Sequence, residues 1–443
     1  MVPEIVLEHC STVLLTEEER EITEEDRELI RRQTETYTKD AMRVLALAYK
    51  DGVDEPYDEE NVESDLTFLG IVAMEDPPRD GVKETIEKCK DAGIEIKMVT
   101  GDNPTTAKAI AKRIGLSEDG EVLTGQDIRD MSEGELVEAV DRTDIYARTM
   151  PDDKYKLVKA FQKSDEVVAM TGDGINDAPA VKRADVGVGM GRKGTDVTKE
   201  ASDIVLQDDN FKTLVTAVEN GRRIYDNIEK FVTYLISRNF TEISVIMLAI
   251  IAFLDFEFLP LAALQILFIN VIGEEMPAVA LGLDPASKYI MDRPPKNTSL
   301  NILHRRNIIL IAPMAIYMAF SAFAVYIYVG SGTDLARTAL FASIILMIMV
   351  NTFNFKSLEK NVTQLNWWEN KLLWLSLAAI TPVLLAIIYN PTLAGIFGHE
   401  TLSTNHWIIA IGVALSTVVV IEILKKISNS SIDTSYMWKN VTA

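Results

Sequence analysis

Two regimes of hydrophobic and polar order run along this chain, and they part near residue 230. Upstream, short apolar runs alternate with polar stretches of helical length. Downstream, nearly uncharged apolar runs reach the ~20 residues needed to cross hydrocarbon. Residues 1 to about 65 mix polar helical stretches with the strand-like run Arg43–Ala48, and EEEREITEEDRELIRR predicts a solvated acidic helix. From Leu66 the order becomes strand then helix, repeatedly: LTFLGIVAM, DGVKETIEKCKDAG, IEIKMVTGDN, and an Ala-rich helix from Pro104 to Ile114. DIYARTMP, a helix through Phe161, EVVAMTGDGIND and ADVGVGM continue it. Val-, Ile- and Met-rich strands alternating with helices of this length predict a parallel, doubly wound α/β sheet.

Six spans are expected, at 230–254, 260–282, 307–329, 335–356, 371–390 and 406–427. An even number returns the C-terminus to the starting side. Basic residues gather between spans two and three (Lys288, Arg293, Lys296, Arg305, Arg306), between four and five (Lys356, Lys360) and after six (Lys425, Lys426). By the positive-inside rule these segments, the soluble region and the C-terminus are expected in the cytoplasm of a multi-pass membrane protein in contact with lipid.

Composition sharpens this division. A chain of 443 residues is long enough for two to three domains, and a net charge of -22 beside 48% hydrophobic residues fits an acidic soluble part joined to a membrane part. That acidity argues against a nucleic-acid partner, which calls for a basic stripe. Cys10 and Cys89 lie in no CxxC or Cys/His cluster and read as reduced thiols; the four histidines are scattered and suggest no zinc site. MVPEIVLEHC has neither a basic n-region nor a long apolar core, so no signal peptide is expected from it.

Candidate chemistry concentrates in two acidic loops at predicted strand ends, where open parallel sheets bind ligands. Thr100-Gly101-Asp102 follows Ile94–Val99, and Thr171-Gly172-Asp173-Gly174 follows Val167–Met170. Glycines let the backbone approach a phosphate, and Thr hydroxyls and amide hydrogens bond its oxygens. Asp173 and Asp177 have the spacing to hold Mg²⁺, and Lys154 in MPDDKYKLV would set a positive charge against a transferring phosphoryl group. In the membrane region, Asn239 and Glu242 lie three residues apart, and Asn270 and Glu274 four apart, followed by Glu275 and Pro277. Gly273 and Pro277 weaken helical hydrogen bonding there. Carboxylates, amide oxygens and freed carbonyls suit a hard cation.

RVLALA, EDPPRDGV, KMVTGDN, YARTMPDDK, MTGDGINDAPAVKRADVGVGM and the spans after Asn227 resemble, in order, the haloacid-dehalogenase-like phosphoryl-transfer domain and membrane helices of the P-type ATPases. The resemblance covers essentially the whole chain and points to type II calcium pumps of the sarco/endoplasmic-reticulum kind. It implies the C-terminal part of a nucleotide-binding domain over residues 1–65, a Rossmann-like phosphorylation domain over 66–228, and an all-α bundle of six transmembrane helices over 229–443. It implies Mg²⁺ and ATP, with Asp173 on Mg²⁺, Asn176 and Asp177 shaping that site, and Lys154 on phosphate. Thr100, Gly101 and Asp102 would line the nucleotide phosphates, and Arg43 and Arg148 would contact the nucleotide.

The family's D-K-T-G-T nucleophile and T-G-E loop do not occur in the sequence, and Asp153-Lys154-Tyr155 is the nearest approach. Val2-Pro3-Glu4 resembles the end of the family's K-G-A-P-E. The expectation is therefore a C-terminal portion of a pump, inactive alone, with the N-terminal remainder a possible separate chain. In YLISRNFTE, Asn239 and Glu242 match the calcium pumps, as does Asn270, whereas Gly273, Glu274 and Glu275 stand for Thr, Asp and Gly. Ile348 falls where two-site calcium pumps carry Glu, so one transported ion is expected. Calcium leads; sodium, protons, and a fragment that binds nucleotide or a partner without turnover are the alternatives.

Overall fold

The computed structural model describes residues 3–16, 18–39, 42–52, 62–75, 77–118, 120–254, 259–297 and 300–431. They divide into two compact units, Met1–Thr216 and Ala217–Ala443.

The described residues of the first unit form three sheets. A four-stranded sheet has the order β2-β1-β4-β3, with β1 Cys10–Leu15, β2 Glu18–Glu21, β3 Arg43–Tyr49 and β4 Leu66–Met74. Its core of Val6, Leu7, Cys10, Val13, Ala46 and Phe68 is closed by the helices Pro3–Glu8 and Glu24–Lys39. Two expectations change here. The acidic stretch read as one helix is split: Glu18–Glu21 pairs antiparallel with β1, and the helix starts only after Thr23. Thr23 and Asp26 cap that start reciprocally, Thr23 N donating to Asp26 Oδ2 at 2.9 Å and Asp26 N to Thr23 Oγ1 at 3.3 Å. Helix propensity in Glu18–Arg20 yields to cross-strand pairing. The strand Leu66–Met74, grouped by its pattern with the following α/β region, instead pairs with β1 (parallel) and β3 (antiparallel). Alternation reports a strand but not which sheet receives it.

The remaining strands form two parallel sheets of three, β5-β7-β6 (Met98–Val99, Thr143–Ala147, Glu121–Thr124) and β10-β9-β8 (Ile204–Leu206, Val186–Met190, Ala169–Gly172). The single doubly wound sheet expected from the sequence is thus two, and β5 and β8 each stand at an edge. β5 keeps only the last two residues of the predicted Ile94–Val99, and β8 lies two residues beyond the predicted start. Ile145, Tyr146 and Ala147 of β7 are fully buried beneath the flanking helices.

Among the described residues, six helices are long and apolar enough to cross a membrane, all lying wholly or mostly in the second unit: Phe211–Phe253, Ala263–Gly282, Arg305–Gly330, Asp334–Asn354, Lys371–Tyr389 and Thr404–Asn429. The first begins before the division between the units. Asp334–Asn354 is the most enclosed, with Ala339–Ile345 all buried. The second is not uniformly α-helical: Ile269–Glu274 is a π-helical stretch, where Gly273 was expected to loosen the ladder. One end of the bundle is tied by buried polar contacts rather than apolar packing. Asp284 takes Lys230 at 3.1 Å and the Asn370 amide at 3.0 Å. Glu229 takes Lys296 at 2.5 Å and Asn307 at 2.9 Å.

Candidate functional site

In the first unit the two acidic loops are held by contacts that follow from their residue types. Thr100 Oγ1 donates to Asp102 Oδ2 at 2.9 Å and accepts from Asp102 N at 3.1 Å, which folds the loop after β5 upon itself. Asn103 then caps the helix Pro104–Arg113, accepting from Thr106 N at 2.9 Å. The loop after β7 is sewn to this one: Arg148 N donates to Asp102 O at 2.8 Å, and the Thr149 hydroxyl donates to Thr100 O at 3.0 Å. Arg148 reaches this geometry with φ 49, a left-handed conformation unusual for a residue with a side chain. Its side chain is exposed beside the loop.

After β8, Gly172 is the residue without which the loop cannot close, because a Cβ there would lie 2.5 Å from Asp177 Cβ. Asp177 is buried and fully engaged. Oδ1 accepts from Lys154 Nζ at 2.5 Å, and Oδ2 accepts from the backbone N–H of Asp173 at 3.4 Å and Gly174 at 3.3 Å. Asp173 and Asn176 are exposed on the same loop. A second support comes from the loop after β9 and the helix Asp196–Ala201 that it leads into: Thr195 N donates to Asp173 O at 2.9 Å, and the Thr198 hydroxyl to Gly174 O at 2.8 Å. Asp209 anchors that loop by accepting from Arg192 N and Lys193 N, both at 2.9 Å, and these backbone bonds hold its carboxyl below the ordinary range.

Asp153, next to Lys154, is committed elsewhere. It is fully buried, accepts from Met150 N at 2.9 Å at the helix start, and pairs with Arg129 at 2.5 Å. Arg43 opens β3 in the four-stranded sheet, exposed and opposite Met74, outside both parallel sheets. Among the described residues no three His, Cys, Asp or Glu side chains gather as a metal cluster.

In the second unit, Glu242 and Glu274 are buried, and one carboxylate oxygen of each has no hydrogen-bond partner. Asn270 Oδ1 is buried without a partner as well, and the Asn270 side chain lies against Glu242. Glu275 is exposed, as its turn of ~100° from Glu274 requires. Gly273 and Ile348 border the group; a Cβ on Gly273 would lie 2.8 Å from Ile345 Cδ1 and 3.8 Å from Ile348 Cδ1. Asn239 departs from expectation, since it is exposed and not gathered with the carboxylates. Its inward place is taken by Arg238, which is 0% exposed and reaches Glu274 Oε1 from Nε at 3.7 Å. Arg238 lies four residues before Glu242, about 40° away around a regular helix, whereas Asn239 is about 60° away.

Two family models match the chain: one described as cation transporting ATPase, C-terminus, over residues 258–427, and one described as P-type ATPase, cytoplasmic domain N, over residues 2–81. The chain is 37% identical over 431 residues to calcium-transporting ATPase 1 of Lactococcus lactis, covering 96% of this chain and 48% of that protein. It is 37% identical over 380 residues to the calcium-transporting ATPase of Bacillus subtilis, covering 84% and 42%. It is 35% identical over 431 residues to calcium-transporting ATPase type 2C member 1 of Bos taurus, covering 96% and 44%.

The chain belongs to the P-type cation-transporting ATPases. It spans about half the length of the curated relatives it matches, and corresponds to their C-terminal portion.

Within this family frame, the structure gathers Thr100, Gly101, Asp102 and Arg148 through the stitched loops, and Lys154, Asp173, Asn176 and Asp177 through the second loop. Glu242, Asn270 and Glu274 come together in the bundle; Arg43 and Asn239 stand apart from their groups. Sequence reasoning passed over Arg238 and Thr149. The signal for Arg238 was legible as a full charge at membrane depth, one turn from a glutamate. Thr149 carried none, because its role is a contact between loops 49 residues apart.

Proposed function

We propose that this chain is the C-terminal catalytic and ion-binding portion of an ATP-driven calcium pump, acting through an aspartyl-phosphate whose nucleophile lies outside this chain. The observation that carries the reading is the pair of buried carboxylates, Glu242 and Glu274, each with one oxygen free of hydrogen-bond partners inside a bundle of membrane-spanning length. Leaving such groups unpaired at membrane depth is costly, and a bound cation relieves that cost.

The first unit supports the other half of the reading as a haloacid-dehalogenase-like site. Asp173 is the exposed carboxylate at the end of β8 with no side-chain hydrogen bond, so it fits a Mg²⁺ that keeps most of its waters. Bound there, Mg²⁺ supplies charge neutralisation to phosphoryl oxygens. Asp177 braces the loop and aims Lys154, whose ammonium stands ready for a phosphate oxygen. The Thr100–Asp102 loop and Arg148 offer hydroxyl, amide and guanidinium donors to nucleotide phosphates. β5 and β8, which carry the two loops, both end their sheets. Each edge can accept a further parallel strand, which is where a D-K-T-G-T aspartate from the rest of the pump would enter. The soluble unit and the C-terminus are assigned to the cytoplasm by the basic segments between spans. Lipid and the N-terminal part of the pump are the partners this requires.

The test is equilibrium binding of ⁴⁵Ca²⁺ to the full chain in lipid nanodiscs. Glu242→Gln and Glu274→Gln should each weaken binding at least tenfold, while Glu275→Gln changes it little. Equal binding by wild type and both variants would place the ion elsewhere and sink this reading.

A further inference from the structure

The arginine inside the acidic membrane site is unexplained by a cation site built from carboxylates and amides. Arg238 is 0% exposed, and none of its Nε, Nη1 and Nη2 atoms has a hydrogen-bond partner. A guanidinium carries five donors and forms short, often bidentate bonds with carboxylates when geometry allows. Here the nearest approach to a carboxylate is 3.7 Å, to Glu274, and Arg238 is the cationic neighbour of Glu242 as well. Donors and acceptors therefore have unfilled valences on both sides of the Arg238–glutamate group: three guanidinium nitrogens, Glu242 Oε1 and Glu274 Oε1 beside them, and Asn270 Oδ1 on the side chain that lies against Glu242. Such a group is neither a closed salt bridge nor an apolar core. It is held together by charge, with its oxygens left available.

Building on the ion site proposed above, we infer that Arg238 is a tethered cation that offsets one of the two glutamate charges and competes with the transported ion for them. Two ionised carboxylates and one guanidinium leave the site with a net charge of about −1, so a single divalent ion suffices to overcompensate it. Arg238 thereby lowers affinity for the ion and limits the site to one, beside the apolar Ile348 that borders it. An arriving ion takes the free oxygens of Glu242, Asn270 and Glu274 and repels the guanidinium. On release, the guanidinium again offsets one carboxylate charge and spares the bundle an uncompensated pair of charges.

The experiment measures ⁴⁵Ca²⁺ and ²²Na⁺ binding to the full chain in nanodiscs, for wild type, Arg238→Gln and Arg238→Lys. Arg238→Gln should tighten Ca²⁺ binding at least tenfold and Na⁺ binding by about the square root of that factor, because the Coulomb term scales with ion charge. Arg238→Lys should stay within about threefold of wild type at pH 7. Lysine also provides a variant that keeps the buried charge: its ammonium can deprotonate where a guanidinium cannot, so raising the pH from 7 to 9.5 should tighten Ca²⁺ binding more in Arg238→Lys than in wild type. The comparison over one pH range cancels the titration of the glutamates. Unchanged or weaker Ca²⁺ binding in Arg238→Gln, equal shifts for the two ions, or identical pH responses of Arg238→Lys and wild type would overturn the inference. Those results leave the ion site standing if Glu242→Gln still loses binding; binding indifferent to Glu242→Gln removes the site itself.

Discussion

At the scale of single residues, the proposed phosphate site divides labour between two aspartates that the sequence presents alike. Asp177 is buried and spends both oxygens on Lys154 and the loop backbone, while Asp173 is exposed with its carboxylate uncommitted. Only Asp173 should therefore dominate divalent binding in this unit. With Mn²⁺ as a paramagnetic probe of the Mg²⁺ position, Asp173→Asn in the full chain should weaken binding about tenfold or more while leaving the thermal transition in place; undiminished Mn²⁺ binding would remove Asp173 from the metal site. His399 offers a separate test, outside the spans. Its ring lies 4.7 Å from that of Phe341 and 5.8 Å from that of Phe397, and burial pushes its pKa down to about 4. A histidine depressed below its unfolded value stabilises the fold fully above about pH 6.5, and that contribution is lost as pH falls toward 4. Between pH 7 and 5 the loss is about 2 kcal/mol. The melting temperature of the solubilised chain should fall further over this interval in wild type than in His399→Asn, and equal falls would contradict the burial.

At the scale of elements, the legible and illegible parts separate along a physical line. All six membrane helices were readable from hydropathy, because hydrocarbon imposes a length of apolar sequence that needs no partner to be recognised. The cap of the helix after Thr23 was equally local, yet the same stretch hid β2, whose existence depends on pairing with β1. Pairing is what periodicity does not report. For that reason the pattern groups Leu66–Met74 with the wrong neighbours and predicts one doubly wound sheet where there are two three-stranded ones. In the candidate sites the same division holds: TGDGIND and the two glutamates were visible as residue types, whereas the exposure of Asn239 and the burial of Arg238 depend on which face the Phe211–Phe253 helix turns inward. The split sheet makes its own prediction. β7 and β9 are hydrogen-bonded on both sides, β5 and β8 on one. Hydrogen exchange in the isolated chain should show tenfold or greater protection of β7 and β9 amides over those of β8. Equal protection would mean that β8 is already covered.

At the scale of the whole molecule, the proposed function joins two kinds of feature, one in each unit: acidic loops at strand ends in the first, and buried carboxylates with oxygens lacking hydrogen-bond partners in the second. The calcium-transporting relatives are about twice the length of this chain, and the edges at β5 and β8 give a physical place for what the remainder is proposed to supply. The central claim is that these parts serve one reaction, with the phosphorylated aspartate donated from outside this chain. The most direct measurement is acid-stable labelling from [γ-³²P]ATP, with and without Ca²⁺. The chain alone should take up no hydroxylamine-sensitive label, and the chain supplied with a segment carrying D-K-T-G-T should take it up only with Ca²⁺, on the supplied aspartate. Label mapped to an aspartate of this chain, or labelling indifferent to Ca²⁺, would contradict the account.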